Sequence, residues 1–199
     1  DCYGTKIGSE EVFVSDDPTI PESMGFYLFD DEGVESRKRE LIKGGVITDL
    51  LHNRETSFKM NIRSNAASRS VEFDKEPIIR MSNTFIEPGD YDITELLSDI
   101  KKGVYIKNFM EWNIDDRREN QRYVGFEAYL IKNGELDINV KSPVLELTSK
   151  KFWSSVDARS KNLDFKAANC GKGEPMQGAP VWTGAPDVRL RNIRIGTRS

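Results

Sequence analysis

Short apolar runs bounded by turn-forming residues recur along the chain, a pattern typical of β-strands. The strongest case pairs residues 123–131 with residues 136–140, and Asn133-Gly134 lies between them. Because Asn-Gly is the favoured pair for a type I′ turn, these residues predict a β-hairpin. Residues 41–47 predict a second hairpin, since Gly44-Gly45 at their centre can supply the positive φ that a tight turn needs.

The clearest helical pattern covers residues 93–102, where Asp92 can cap the first turn and Glu95 follows three residues later. Gly103 comes just after the last turn, at the place where glycine commonly ends a helix. Two weaker helices are predicted at residues 149–159 and 54–68.

The C-terminal part of the chain contains two contrasting stretches. Residues 171–186 are rich in Gly and Pro and are expected to break regular structure, whereas residues 188–195 predict a final strand. The predicted fold class is therefore α+β and strand-rich, with a mostly antiparallel sheet and a few helices. At 199 residues the chain can bury a sizeable core, and we expect a single domain over residues 1–199.

Charge and composition exclude several classes of function. Acidic and basic residues are interleaved and the net charge is −4, which argues against a dedicated nucleic-acid binder. No apolar run approaches the roughly 20 residues that span a bilayer. A disulfide between Cys2 and Cys170 is possible, but two cysteines fit a reducing cytoplasm better. The chain begins without Met or a signal-peptide pattern, so we interpret it as a processed or truncated piece.

Cys170-Gly171-Lys172-Gly173 is the first candidate for chemistry. A thiolate is a strong zinc ligand, and the flanking glycines would let a metal and a peptide backbone come close. Lys172 could help to hold Cys170 as a thiolate. The alternative is that Cys170 is a small buried apolar residue. The residues alone favour this alternative, because one Cys is far short of a tetrahedral site.

His52 is the only histidine, and this limits the possible sites. A zinc-peptidase helix needs two His on one face, so this chain cannot supply that motif. Any Ser-His-Asp or Cys-His arrangement would have to use His52. Because the other motif residues are missing, we interpret His52 as a surface or hydrogen-bonded residue at the end of a predicted strand.

Two charged clusters are interpreted as structural. Asp30-Asp31-Glu32 could bind a hard cation, but the segment lacks the spacing of a calcium loop and indicates a solvated turn. Arg189 and Arg191 alternate with Val188 and Leu190, so a solvated strand face explains them without a phosphate site.

Five segments of the sequence resemble, in their order and rough spacing, the C-terminal domain of the TldD/PmbA family. The resemblance covers about residues 10–196, and many members of this family carry the label modulator of DNA gyrase. The segments are Asp30-Asp31-Glu32-Gly33, Asp49-Leu50-Leu51-His52-Asn53-Arg54-Glu55-Thr56, Arg80-Met81-Ser82-Asn83-Thr84-Phe85-Ile86-Glu87-Pro88-Gly89-Asp90, Glu127-Ala128-Tyr129-Leu130-Ile131-Lys132-Asn133-Gly134-Glu135, and Cys170-Gly171-Lys172-Gly173 followed by Gln177-Gly178.

The resemblance implies the C-terminal part of a zinc-dependent metallopeptidase that cleaves flexible or unfolded peptides. In catalytic members of the family, two His of an upstream His-Glu-x-x-x-His helix and one Cys near the C-terminus hold zinc. Cys170 matches that Cys, and its presence points to the TldD-like branch. The piece alone would be inactive and would bind zinc weakly. The resemblance also implies a homo- or hetero-oligomer with a family member.

The alternative is a non-catalytic PmbA/TldE-like binding or assembly subunit. Two departures from the family pattern concern local loops. Glu111-Trp112-Asn113-Ile114-Asp115-Asp116 stands where many members have a glycine-rich segment, and residues 173–177 form a longer link than the family usually has.

Overall fold

The structure is a computed structural model that describes residues 3–197, and strands dominate it. Within these residues the predicted α+β class with mostly antiparallel sheets is confirmed. The strands are β1 (Val14–Asp16), β2 (Arg39–Lys43), β3 (Val46–Ile47), β4 (Ser68–Arg69), β5 (Ile78–Ile79), β6 (Asn83–Ile86), β7 (Lys102–Ile114), β8 (Asn120–Lys132), β9 (Glu135–Asn139), β10 (Pro143–Thr148), β11 (Val156–Arg159), β12 (Asp164–Lys172), β13 (Gln177–Ala185), β14 (Val188–Leu190) and β15 (Ile195–Thr197). The helices are α1 (Arg54–Lys59), α2 (Ile93–Ser98) and α3 (Ser149–Ser155).

The described chain divides into two compact units. Unit 1 contains the residues up to Lys6, then Val12–Glu87 and Leu163–Pro186. Unit 2 contains Ile7–Glu11, Pro88–Asn162 and the residues from Asp187 onward. The expectation of one family domain over residues 1–199 stays a prediction.

Unit 1 is built on a six-stranded sheet in the order β12-β13-β6-β1-β2-β3. Its neighbouring strands run antiparallel, except that β13 runs parallel to β6. The predicted hairpin at residues 41–47 is confirmed as β2 and β3, and both Gly44 and Gly45 adopt positive φ. Apolar side chains from β1, β3, β6 and β13 form the core, among them Val14, Ile47, Phe85 and Val181.

A buried ion pair lies in the same core. The side chains of Asp16 and Arg39 are completely buried and bond to each other. Arg39 also donates to the carbonyl of Ala66 at 2.8 Å, and Asp16 accepts from the backbone N–H of Ser82 at 2.8 Å and from the Thr84 hydroxyl at 2.6 Å. These bonds offset much of the cost of removing both charges from water.

Unit 2 contains a sheet in the order β15-β10-β8-β7, with β9 also paired to β8, and a two-stranded sheet of β11 and β14. The predicted hairpin at residues 123–140 is confirmed as β8 and β9, with Lys132 opposite Glu135. Asn133 and Gly134 have φ of 51° and 86°, the left-handed values that a type I′ turn requires.

The predicted helix at residues 93–102 begins at Ile93 as expected but ends at Ser98, before the predicted end. Its start is fixed by the backbone N–H of Asp92, which donates to the Glu95 side chain at 2.7 Å. The residues after Ser98 bond to the turn of the β8–β9 hairpin instead of continuing the helix, since the backbone N–H of Gly134 donates to the carbonyl of Ile100 at 2.9 Å. Gly103 therefore lies in β7 and not at a helix end.

Three other boundary predictions are wrong. The helix at 149–159 ends at Ser155, because residues 156–159 pair with β14 as β11. The final strand at 188–195 is interrupted, since Asn192 has a φ of 55° and separates β14 from β15. The helix at 54–68 extends only over Arg54–Lys59.

The Gly/Pro-rich stretch at 171–186 is not broken throughout. Residues 177–185 form β13, which pairs with β12 from Asp164 opposite Ala185 to Lys172 opposite Gln177. Cross-strand pairing outweighs the weak local preferences here, and only residues 173–176 form the turn between the strands.

Candidate functional site

Cys170 lies on β12, the edge strand of the unit 1 sheet, directly opposite Ala179 on β13. It is a free cysteine and is partly exposed, so it does not behave as the buried apolar residue of the alternative interpretation. Cys2 lies outside the described residues, and so does the possible disulfide between Cys2 and Cys170.

Glycines leave open space beside Cys170. Gly171 follows it on β12 and lies opposite Gly178 on β13, so neither strand carries a side chain at this position. A Cβ added to Gly178 would meet no heavy atom within 4 Å. One added to Gly171 would meet only the flexible Met176 side chain, at 3.1 Å from the sulfur. Because side chains alternate along a strand, this space lies on the face opposite the thiol, where another backbone could come close to β12 beside Cys170.

Lys172 does not reach toward the thiol as its sequence position suggested. Its ammonium donates to the carbonyl of Ile79 at 2.7 Å. The main cation bound to the Cys170 backbone is instead Arg80, which is 1% exposed and donates from Nη2 to the carbonyls of Cys170 and Gln177. In the sequence, Arg80 stands out only as part of a family-like segment, and no local pattern indicates this contact.

The described chain supplies one metal donor of the expected kind and not a complete site. Among residues 3–197, no group of three or more His, Cys, Asp and Glu side chains is placed to hold a metal ion. Zinc in proteins takes four ligands, so Cys170 could serve only together with donors from elsewhere. A free, partly exposed thiol between small residues fits the role of one such ligand.

His52 is buried and hydrogen-bonded on both ring nitrogens. Its Nε2 lies 2.9 Å from the Tyr3 hydroxyl, and its Nδ1 lies 3.1 Å from the Thr56 hydroxyl. Burial lowers the pKa of His52, although Asp49 partly opposes this effect. Of the two alternatives, the hydrogen-bonded residue is confirmed and the surface residue is not, because the ring is buried and the Tyr3 ring stacks on it with 6.3 Å between the centroids.

The acidic cluster at 30–32 forms the predicted turn, and Asp31 is exposed, but the solvated position is wrong for Asp30. Asp30 is buried, and its carboxylate accepts backbone N–H bonds from Glu32 at 3.0 Å, Val34 at 2.9 Å and Ser68 at 3.2 Å. Glu32 in turn accepts from the backbone N–H of Arg54 at 2.8 Å. The carboxylates therefore satisfy backbone donors of this loop and of the α1 start.

The predicted solvated face at Arg189 and Arg191 is also wrong. The two side chains do share a face, but both donate to Asp157, at 2.8 and 2.7 Å, and both reach Asp99. Burial alone would raise the pKa of Asp157, but hydrogen bonds from Arg189 and Arg191 hold it below its ordinary value. Local alternation could not reveal these partners, because they are distant in sequence.

The segment at 111–116, which departs from the family pattern, forms the end of β7 and the turn into β8. Asp115 closes this turn by accepting from the backbone N–H groups of Glu119 at 3.0 Å and Asn120 at 2.8 Å. Hydrogen bonds from the Asn120 side chain and these backbone groups lower the pKa of Asp115. A tight, hydrogen-bonded turn thus takes the place of a glycine-rich one.

Within the part of the chain that the structure describes, no helix combines the length and apolar character that a membrane span requires.

Comparison with known proteins gives a match over nearly the whole chain. A family model described as the PmbA/TldA metallopeptidase C-terminal domain matches residues 1–197. A metalloprotease of Methanocaldococcus jannaschii is 39% identical over 189 residues, and a metalloprotease of Methanothermobacter thermautotrophicus is 37% identical over 193 residues. These matches cover 95% and 97% of this chain but only 41% and 42% of the relatives. The chain thus spans about two fifths of their length.

Solved structures share the fold at lower sequence identity. A protein of Thermotoga maritima described as a modulator of a DNA gyrase superposes with a TM-score of 0.78 at 20% identity. TldE from Thermococcus kodakarensis superposes with a TM-score of 0.77 at 19% identity. Each match covers 98% of this chain and 41% of the solved chain.

Proposed function

Since this chain belongs to the PmbA/TldD family of TldD-like metallopeptidases, as its C-terminal domain, we propose that it supplies the cysteine zinc ligand of such an enzyme. The observation that carries this proposal is the free, partly exposed thiol of Cys170, on an edge strand next to Gly171. The remaining ligands and the general base would come from residues outside this chain.

A bound zinc ion would polarise a peptide carbonyl and lower the pKa of a water molecule. The part of this chain is more limited. Cys170 provides an anionic sulfur donor, and the β12–β13 hairpin holds that donor at a fixed place in unit 1. Gly171 and Gly178 keep the neighbouring positions free of side chains.

The substrates in this proposal are flexible or unfolded peptides. β12 is at the edge of its sheet, and its exposed positions include Lys166, Ala167 and Asn169. An extended peptide could add to such an edge through main-chain hydrogen bonds, which need no particular side chains. A flexible segment adopts this extended form more readily than most folded segments, which favours substrates that are unfolded at the cleaved bond.

The test replaces Cys170 by Ala in the complete protein. We expect the zinc content to fall and cleavage of an unfolded model peptide to be lost, because one anionic ligand is removed. Cys2→Ala is the matched control, since it removes the other thiol, and it should leave both measurements unchanged. Full zinc content and full cleavage in Cys170→Ala would contradict the proposal.

A second proposal concerns assembly, as in a PmbA/TldE-like binding subunit, with a family member as the partner. The observation that favours it is a group of exposed aromatic side chains on β7 and β8 of unit 2, namely Phe109, Trp112 and Phe126. Phe and Trp side chains are enriched at protein–protein interfaces relative to the rest of the surface. Light scattering would show a homo- or hetero-oligomer that Trp112→Ser weakens. A monomer under all conditions would remove this proposal.

We also propose a location in the cytoplasm, which the low number of cysteines supports.

A further inference from the structure

The Cys170 end of the β12–β13 hairpin extends past the strand ladder that joins this hairpin to β6. That ladder covers Trp182, Thr183 and Gly184. Ala179, the partner of Cys170, comes three residues earlier along β13. The hydrogen bonds that connect this end of the hairpin with residues 76–81 come from side chains, so side chains determine where Cys170 is held.

Arg80 makes the central connection. It lies between β5 and β6, and its own backbone N–H is fixed by the carbonyl of Ala67 at 2.8 Å. Its Nη2 donates to the carbonyl of Cys170 on β12 and, at 2.7 Å, to the carbonyl of Gln177 on β13. One guanidinium nitrogen therefore joins both strands of the hairpin beside the turn.

Three further side-chain bonds act in the same region. Lys172 donates to the Ile79 carbonyl at 2.7 Å, and the Gln177 amide donates to the Glu76 carbonyl at 3.1 Å. Arg69 donates to the carbonyl of Pro180 at 3.1 Å. Because Lys172 and Gln177 are partly or largely exposed, Arg80 is the contact that water can replace least.

The burial of Arg80 is unusual for a residue that only fills space. Its Nε and Nη1 are buried, and no group of the described residues 3–197 forms a hydrogen bond with either of them. Buried polar groups in folded proteins are nearly always hydrogen-bonded, and an unpaired buried cation costs folding free energy. An apolar side chain of similar volume would avoid this cost, so the guanidinium points to a role beyond packing.

We propose that Arg80 is a positioning residue, which holds the backbone of Cys170 in the place from which its thiol reaches the metal. The part that concerns the metal rests on the proposed function, whereas the part that concerns the hairpin rests on the contacts of Arg80 alone. Residues that orient metal ligands commonly change metal affinity when they are replaced.

Hydrogen exchange in the complete protein tests the hairpin part. In Arg80→Gln, amides of residues 168–172 and 177–179 should exchange on the order of tenfold faster, while residues 164–166 and 183–185 keep their protection. Arg80→Lys should restore part of the protection, because its ammonium can donate to the same carbonyls. Arg159→Gln is the matched control, since Arg159 is a buried arginine of unit 2 that donates to the Pro88 carbonyl at 3.1 Å, and it should leave the hairpin unchanged.

Cobalt(II) in place of zinc tests the metal part. We expect Arg80→Gln to weaken cobalt binding by roughly tenfold and to reduce the sulfur-to-cobalt charge-transfer band, with partial rescue in Arg80→Lys. Cys170→Ala should remove the band completely. If the band persists in Cys170→Ala, the proposed function fails and the metal part of this inference fails with it. The hairpin part is then tested by hydrogen exchange alone.

Other outcomes overturn the inference while the proposed function stands. In the first such outcome, Arg80→Gln shows wild-type hydrogen exchange in the hairpin and wild-type cobalt affinity, although Cys170→Ala has lost the charge-transfer band. Another is faster exchange spread evenly over both units, which would make Arg80 a general core residue. If Arg80→Gln does not fold, Lys172→Met removes an exposed bond of the same region. It should shift hairpin exchange in the same direction by a smaller factor, and unchanged exchange in Lys172→Met would then overturn the inference.

Discussion

Single buried residues determine much of what can be expected of this protein's stability. The side chains of Asp16 and Arg39 are completely buried and form an ion pair. The Ser82 hydroxyl accepts a hydrogen bond from Arg39 and donates one to Asp16, and the Thr84 hydroxyl also donates to Asp16. Such a pair adds little stability compared with apolar residues of the same volume. Replacing only one of the two residues lowers stability much more than the intact pair raises it, because the remaining charge is buried without a partner.

Asp16→Asn should therefore destabilise the protein by about 3–5 kcal/mol, because it leaves the buried Arg39 guanidinium without a counter-charge. Urea unfolding followed by circular dichroism would measure the loss. Lys59→Met is the control, since Lys59 pairs with Glu55 on the surface of α1, and it should change the midpoint very little. A small effect of Asp16→Asn would mean that the pair is more hydrated than the structure indicates.

His52 should make stability depend on pH. Burial lowers its pKa from the ordinary value of 6.5, so the unfolded chain binds the proton more readily than the folded protein. The folded protein therefore has its full stability above about pH 6.5 and loses part of it as the pH falls further. Urea midpoints between about pH 7 and pH 5 should fall less in His52→Gln than in the wild type. Equal slopes in the two proteins would show that other groups cause the dependence.

The sequence identifies residues whose chemistry is visible locally and misses those whose partners are distant. Cys170 could be selected as a candidate ligand because it matches the cysteine of the family pattern, although the residues alone favour a buried apolar role. Arg80 could not, since its contact with Cys170 joins residues 90 positions apart. The same limit applies to Arg189 and Arg191. Their alternation along the strand places them on one face, but it does not reveal Asp157, the distant carboxylate to which both donate.

At the scale of elements, turn chemistry was the most reliable guide. Both predicted hairpins form where paired turn residues adopt positive φ, at Gly44-Gly45 and at Asn133-Gly134. Helix starts were also predictable, as the capping bond of Glu95 shows. Helix ends were not, because tertiary contacts such as the bond from Gly134 to Ile100 decide where the last turn stops.

The contribution of the β8–β9 turn to stability can be tested directly at Gly134. Gly134→Ala should destabilise the protein by about 1–3 kcal/mol, because φ is 86° there and the new Cβ would lie 2.8 Å from the Ser98 carbonyl oxygen. Gly196→Ala in β15 is the control, since its Cβ would make only ordinary contacts at 3.8 Å. Thermal unfolding would compare the two, and an equal effect would contradict the assigned role of the turn.

At the scale of the whole molecule, this chain corresponds to about two fifths of its metalloprotease relatives. The strand-rich α+β class could be predicted from the frequency of short apolar runs and turn pairs. The division into two compact units could not, because each unit combines segments that are far apart in sequence. A complete metal site could not be predicted from this chain either, since its two cysteines and one histidine match no zinc-site motif.

The central claim is that Cys170 is a zinc ligand in the complete protein, and X-ray absorption at the zinc edge tests it most directly. We expect one sulfur scatterer at about 2.3 Å from zinc, with nitrogen or oxygen donors at about 2.0–2.2 Å. In Cys170→Ala the sulfur contribution should disappear. A zinc spectrum of the wild type with only nitrogen and oxygen neighbours would contradict the claim.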